Sequence, residues 1–188
     1  MNQAKNPHPR LSREDWLEES LRILAQEGNR LVTVEVLCER LGVSRGSFYW
    51  HFKDRGDFLV AVIEHWEKQS TLAIRDKVFS LQASPEERLL KLLEMITTYK
   101  HSGFEMPMRR WAMEEPGTKK VLQRIDRTRY EGVRSLFEEM GFTGDELEMR
   151  TQTCVVYHNF MDGLSIDLNK DKAATLRQLR LRHRMLTE

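Results

Sequence analysis

The sequence predicts an all-α protein, and three observations lead to that class. Apolar residues recur at helical spacing along most of the 188 residues, no β-alternation of useful length occurs, and capping residues separate the periodic segments. With 40% hydrophobic and 31% charged residues, the chain is expected to form one or two compact domains with a real core.

The first predicted helix begins at a capping box, in which Ser12 is followed three residues later by Asp15. An apolar stripe that starts at Trp16 continues to Gly28. Residues 1–9 contain two prolines and no apolar run, so we expect a flexible N-terminal tail and not a signal peptide.

Residues 33–52 predict two short helices joined by a tight turn. Thr33 is placed to cap the first helix, and Gly42 falls where the chain must adopt a left-handed conformation. Ser44 is placed to cap the second helix, whose Phe48 and Phe52 share one face and should point to the core. This is the pattern of a helix-turn-helix that enters the DNA major groove.

The outward face of the second helix carries candidate DNA contacts. The stretch from Val43 to Lys53 contains no acid although the whole chain has a net charge of only +1, so basicity is local. The predicted DNA-binding residues are Thr33, Ser44, Arg45, Gly46, Ser47, Tyr49, Trp50, His51 and Lys53. Helix-glycine-helix patterns also occur in proteins that never meet DNA. A helical scaffold protein therefore stays open as the alternative, and salt-sensitive DNA binding would discriminate the two.

The segment resembles the N-terminal motif of the TetR family of bacterial transcription regulators. The motif is carried by the capping Thr33, the turn Gly42-Val43-Ser44, and Tyr49-Trp50-His51-Phe52 followed by Lys53. Leu41 departs from the family, which usually has alanine there, and implies local repacking. Strong resemblance covers about residues 10 to 63. It implies a homodimeric, ligand-responsive regulator that binds a pseudo-palindromic double-stranded DNA operator, and repression is expected because the family mostly represses. Cys38 and Cys154 both lie inside helical patterns, so no disulfide framework is expected and a reducing cytoplasmic location fits.

The rest of the chain predicts further helices. Residues 10–53 are expected to form the helix-turn-helix domain, and residues 54–188 a helical ligand-binding and dimerisation domain that opens with a connecting helix over 54–81. Ser84 begins the next helix, and Asp171 opens the last one. Glycines and prolines interrupt residues 103–117, where a short irregular helix with turns is expected.

A small-molecule site is expected in the middle of this domain. The chain has nine methionines, and flexible thioethers with flat rings suit an apolar or aromatic ligand. In the regions that the resemblance implies enclose the ligand lie Met95, Tyr99, Phe104, Met106, Met108, Trp111, Met113, Tyr130, Phe137 and Met161. The polar group of the ligand is expected to be held by one or two of Tyr99, Tyr130, Tyr157, His158 and Asn159. A cavity of roughly 300 Å³ or more is expected between Met95, Trp111, Tyr130 and His158. Any one of these side chains taken alone is also explained by an ordinary core.

The resemblance further implies that the two C-terminal helices pair with their copies in a homodimer. The candidate apolar centre of that interface consists of Val155, Val156, Phe160, Leu164, Leu176 and Leu179, with Arg177, Arg180, Arg182 and Arg184 as its polar rim. The alternative is that these residues cover only the core of their own chain.

Enzyme signatures are missing from the sequence. It contains no GxGxxG, Walker P-loop, GxSxG or HExxH pattern. Cys154, His158 and Asp162 share one helix face, but no second cluster supplies further metal ligands. We therefore expect no catalytic residue, no cofactor and no metal. The longest apolar run, residues 58–63, is too short to span a bilayer.

Overall fold

The computed structural model describes residues 11–98, 105–115, 117–160 and 171–188, and every regular element in those ranges is a helix. The helices are α1 Arg13–Glu27, α2 Val34–Leu41, α3 Arg45–His51, α4 Arg55–Glu67, α5 Ala73–Phe79, α6 Pro85–Thr98, α7 Glu105–Glu114, α8 Lys119–Glu139, α9 Gly144–Phe160 and α10 Lys172–Thr187. The predicted all-α class is confirmed. Within the described ranges, no helix is both long and apolar enough to cross a membrane.

Aromatic packing joins α1, α3 and the start of α4. The Trp16 ring on α1 is fully buried and meets the Phe48 ring of α3 edge-on, with centroids 5.5 Å apart. Phe52 and Phe58 extend the cluster, and their ring centroids are 5.0 Å apart. Ser12 caps α1 in the predicted box, where its hydroxyl accepts from the Asp15 backbone N–H. A local cap and an apolar stripe therefore position α1 as the brace of the helix-turn-helix.

α4 and α5 form one continuous helix interrupted by a π-helical turn at Lys68–Leu72. Asp54 caps its start, accepting a 2.9 Å hydrogen bond from the Asp57 backbone N–H. The sequence predicts an unbroken helix to about residue 81, whereas the structure inserts wider turns midway. Such π turns occur frequently at functional sites. Here the turn presents Ser70 and Thr71 to the interior of the C-terminal region.

The predicted domain boundary at residue 53 does not separate two hydrophobic cores. Met108, Trp111 and Ala112 of α7 belong to the same core as α1 and α4. Polar contacts reinforce the junction, since the Asn29 side-chain amide donates to Glu114 at 2.7 Å and Arg55 pairs with Glu115 at 2.8 Å. α7 lies where the sequence predicts a short irregular helix with turns, and it is a regular helix of ten residues. Pro107 lies in its first turn, where a missing N–H costs nothing.

A second core lies between α6, α8, α9 and α10. Leu89, Leu93, Leu136 and Phe137 are fully buried in it. Leu179 of α10 is only 3% exposed and belongs to this core, so it cannot serve as an interface centre as predicted. Val155, half-buried, packs against the same cluster.

Candidate nucleic-acid interface and interhelical cleft

The turn between α2 and α3 follows from its glycine. Gly42 has φ 67° and ψ 34°, which is the left-handed conformation that favours a residue without Cβ. The Val43 backbone N–H then donates to the Cys38 carbonyl at 3.0 Å, which closes the end of α2. Thr33 caps the other end of α2 as predicted, because its hydroxyl accepts from the Val36 N–H at 3.3 Å. The two helices are therefore fixed relative to each other by local hydrogen bonds.

Burial divides the aromatic residues of α3 into two sets. Phe48 and Phe52 are 0% and 1% exposed and hold the helix to the core. Tyr49 is 60% and Trp50 85% exposed, although both are large and apolar in part. Nothing in the fold of the described residues accounts for their exposure. An exposed aromatic pair on a helix held from behind is available to a partner.

The charged groups on this face come from both helices. The Arg45 guanidinium pairs with Glu35 of α2 at 2.8 Å, and both side chains are exposed. Lys53 is exposed, while its backbone N–H donates to Asp57 at 3.0 Å. His51 is half-buried, and its ring centroid lies 6.4 Å from that of Trp16. The Arg45–Glu35 pair has no signal in the sequence, because the turn alone brings these residues together.

Two predicted DNA contacts have different local roles. Ser44 occupies the N-cap position of α3, but its hydroxyl makes no capping hydrogen bond, contrary to expectation. Its backbone carbonyl instead accepts from the Ser47 N–H at 3.0 Å. The hydroxyl is exposed and open to another acceptor or donor. Thr33 is half-buried and holds α2, while Gly46 is exposed at the start of α3.

A cleft opens in the C-terminal region where the π turn faces α6, α8 and α9. Its cavity volume is about 80 Å³. The apolar part of its wall consists of Ile74, Phe79, Leu92, Ile96, Val133 and Val155. The polar part consists of Ser70, Thr71, Arg75, Thr128, Arg129, His158 and Asn159, with Cys154 beside them.

Arg129 organises the polar part of the cleft. Its Nε donates to the Thr71 hydroxyl at 2.9 Å, and its terminal nitrogens donate to Glu105 at 2.8 Å and to Ser70 at 3.3 Å. The guanidinium also lies over the Trp66 ring, 5.1 Å from its centroid. One side chain thus ties the π turn to α7 and α8.

Titration of two groups on α9 reflects this environment. Burial, aided by the charges of Arg129 and Arg182, lowers the pKa of His158 to about 3, so its imidazole is neutral near pH 7. Burial raises the pKa of the Cys154 thiol to about 11, which leaves it protonated and unreactive.

Most of the predicted ligand set lies elsewhere. Among the described members, His158 and Asn159 line the cleft, whereas Met108 and Trp111 are buried in the N-terminal core and Phe137 in the second core. The Tyr130 hydroxyl donates to Glu148 at 2.6 Å. Tyr99, Phe104 and Met161 lie outside the described residues. Of the four residues expected to enclose a space of roughly 300 Å³, His158 lines this cleft of about 80 Å³, whereas Met95, Trp111 and Tyr130 are not among its described lining residues.

The last two helices leave apolar side chains exposed. On α9, Val156 is 55% exposed and Phe160 is 47% exposed. On α10, Leu181 and Met185 are also exposed. Of the other predicted interface residues, Leu176 is half-buried and Leu164 lies outside the described residues. Leu181 and Met185 are not among the predicted interface residues, because several arginines lie near them in the sequence.

The turn, the buried anchors and the exposed face of α3 together define a helix-turn-helix protein. The family model described as "Bacterial regulatory proteins, tetR family" matches residues 17–62. The resemblance to the TetR family that the motif indicated is confirmed over these residues.

Two curated relatives share part of the chain. The HTH-type transcriptional regulator AcrR of Shigella flexneri is 30% identical over 104 residues, which are 55% of this chain and 46% of AcrR. The HTH-type transcriptional regulator YerO of Bacillus subtilis (strain 168) is 27% identical over 79 residues, 42% of this chain and 27% of YerO. The matches thus span less than half the length of these relatives, and both relatives are named as regulators and not as enzymes.

Solved structures agree with the whole fold. A TetR-family regulator from Rhodococcus sp. superposes with a TM-score of 0.78 at 19% identity and covers 94% of this chain and 98% of its own. The reduced form of NemR from E. coli gives a TM-score of 0.74 at 15% identity, covering 93% of this chain and 96% of its own. At these identities the likeness concerns the fold alone.

Proposed function

We propose that this TetR-family protein is a homodimeric transcriptional repressor whose α3 helices bind a pseudo-palindromic operator. The observation that carries the proposal is the division of α3 into buried phenylalanines and the exposed Tyr49 and Trp50. Phosphate contacts suit the Tyr49 hydroxyl, the His51 imidazole and the Lys53 ammonium, while Arg45 suits guanine. Two α3 helices about 34 to 36 Å apart would reach successive major grooves.

Dimerisation is part of the proposal because one short helix makes too few base contacts for tight binding. The exposed apolar residues on α9 and α10 support a homodimer interface centred on Val156, Phe160, Leu181 and Met185. Arg177, Arg180 and Arg184 are exposed on α10 and suit its polar rim. This centre replaces the one built on Leu179, which its own core already covers.

Regulation by a small molecule is assigned to the cleft at the π turn. The cleft touches α5, α6, α8 and α9, and its π turn continues directly into α4, which packs on α1. A ligand that binds one arrangement of this helix better than another would shift the spacing of the two α3 helices. The proposed consequence is release or modulation of operator binding.

The experiment that tests this function is selection of bound fragments from the genome that encodes the protein. We expect recovered fragments to share an inverted repeat and to bind with a strong salt dependence. The helical scaffold alternative predicts no enrichment and no salt-sensitive retention on DNA. A footprint that protects two half-sites one helical turn apart would support the dimer directly.

A further inference from the structure

The charged residues that line the cleft are basic. No acidic residue is among the described residues that line it, whereas Arg75 and Arg129 are. Glu105, which pairs with Arg129, is shared with Arg109 at 2.7 Å. Arg109 also pairs with Asp126, and Arg75 pairs with Asp76 at 3.1 Å. These carboxylates are not among the described residues that line the cleft, so its wall offers hydrogen-bond donors and no competing anion.

A second cation lies behind His158. Arg182 of α10 stacks over the Tyr157 ring, 4.3 Å from its centroid, and in the described part of the chain it forms no ion pair. Its Nε is buried and has no hydrogen-bond partner there. A buried donor without an acceptor is costly, so the Arg182 Nε favours an acceptor nearby. His158 feels both Arg129 and Arg182, which oppose its protonation.

The remaining wall restricts the rest of the ligand. Six aliphatic or aromatic side chains form it, and the volume of about 80 Å³ admits only a small group. A polar or cationic body would lose its hydration without finding partners on this wall. An apolar body with a single acidic group matches both halves of the cleft.

We propose that the effector is a small apolar monocarboxylate, whose carboxylate accepts hydrogen bonds from Arg129 and from the imidazole of His158. This inference rests on the proposed function, in which the cleft is the regulatory site. A carboxylate at Arg129 competes with Ser70 and Thr71 for its N–H groups. The π turn of the connecting helix would thereby lose its anchor when ligand binds.

The test uses the full chain and matched pairs of probes: benzoate against benzamide, and hexanoate against hexanamide. Calorimetry should show each carboxylate binding about tenfold or more tighter than its amide, as one charge-assisted hydrogen bond provides. Trp66 lies under the Arg129 guanidinium, so its fluorescence should change on binding and the change should vanish in Trp66→Phe.

Two variants place the binding in the cleft. Gly132→Leu should abolish binding of all four probes while leaving the protein folded, because a Cβ at Gly132 meets only Phe79 at an ordinary 3.8 Å. Arg129→Gln should remove the preference for carboxylates, whereas Arg127→Gln, an exposed arginine of the same helix, should keep it.

Equal affinity for acids and amides would overturn the ligand class, and so would the absence of carboxylate binding. Carboxylate binding that survives in Gly132→Leu would overturn the site. Operator binding without ligand is measured separately by gel shift. If it persists while the carboxylates fail, this inference falls and the proposed DNA-binding function stands.

Discussion

The surface of α3 and the cleft at the π turn are stabilised by different kinds of interaction. Behind α3 lie close-packed rings, Trp16, Phe48, Phe52 and Phe58, which have one good arrangement. Behind the cleft lies one guanidinium that bonds to several acceptors on separate helices. Aromatic packing fixes a shape, whereas hydrogen bonds to a single cation exchange for others at small cost. The rigid packing behind α3 therefore suits the proposed recognition of DNA, and the polar contacts of the cleft suit the proposed regulation.

The largest loss of stability is expected in the aromatic cluster behind α3. Trp16→Ala should lower the free energy of unfolding by about 3 to 5 kcal/mol, because it removes the fully buried ring on which α3 rests. Trp50→Ala is the matched control, since its ring is 85% exposed, and should stay within about 0.5 kcal/mol. Urea denaturation measures both. Equal losses in the two variants would mean that α3 is not held from behind.

The next largest effect is expected on dimerisation, at the exposed face of α9. Val156→Glu should weaken the dimer by about 2 kcal/mol or more, because a carboxylate would be buried between copies without a partner. Val156 is 55% exposed in the protomer, so its fold should be unaffected. Sedimentation would show monomers, whereas Met113→Glu, an exposed methionine of α7, should leave dimers intact. A dimer unchanged by Val156→Glu would put the interface elsewhere.

Acid should lower the free energy of unfolding through His158 in the cleft more than through groups around α3. His158 has a native pKa of about 3, below its ordinary value near 6.5, so between these pH values the unfolded chain binds a proton that the native chain does not. Stability should therefore fall by up to about 1 kcal/mol per unit as pH drops from 6 towards 4. In His158→Gln that part of the slope should disappear. A wild-type slope retained by the variant would assign the acid sensitivity to other groups.

The smallest effect concerns the Arg45–Glu35 pair. Glu35→Gln should tighten DNA binding by about 0.2 to 1 kcal/mol, because Arg45 no longer leaves an ion pair to reach a base or phosphate. Glu39→Gln, another exposed acid of α2, serves as the control for net charge. Fluorescence anisotropy with labelled operator resolves the difference. If both variants bind DNA more tightly by the same amount, overall charge explains the change in affinity and the Arg45–Glu35 pair does not.

Local signals in the sequence predicted the elements well. Ser12, Asp54, Ser84 and Asp171 each accept from a backbone N–H three residues ahead, as their positions at helix starts predicted. Gly42 adopts the left-handed conformation that its place after Leu41 indicated. Capping and turn chemistry depend on neighbours in the chain, which a sequence displays directly.

Long-range contacts explain what the sequence left out. Trp111 and Met108 are residue types that often line ligand pockets, but α7 packs on α1 and α4, so both side chains fill the core. Arg129 was not singled out, because its acceptors on the π turn and on α7 are 24 to 59 residues away. Helical periodicity does not reveal which apolar face meets which helix, nor that a connecting helix contains a π turn.

The central claim is that α3 is the DNA-reading element, and the salt dependence of operator binding tests it most directly. Lys53→Ala should weaken binding to all sequences alike and lower the slope of log affinity against log salt by roughly one, whereas Arg45→Ala should lose about 1 to 3 kcal/mol and relax specificity. Lys77→Ala, an exposed lysine on α5, should bind as the wild type does. Wild-type affinity and slope in both α3 variants would contradict the account.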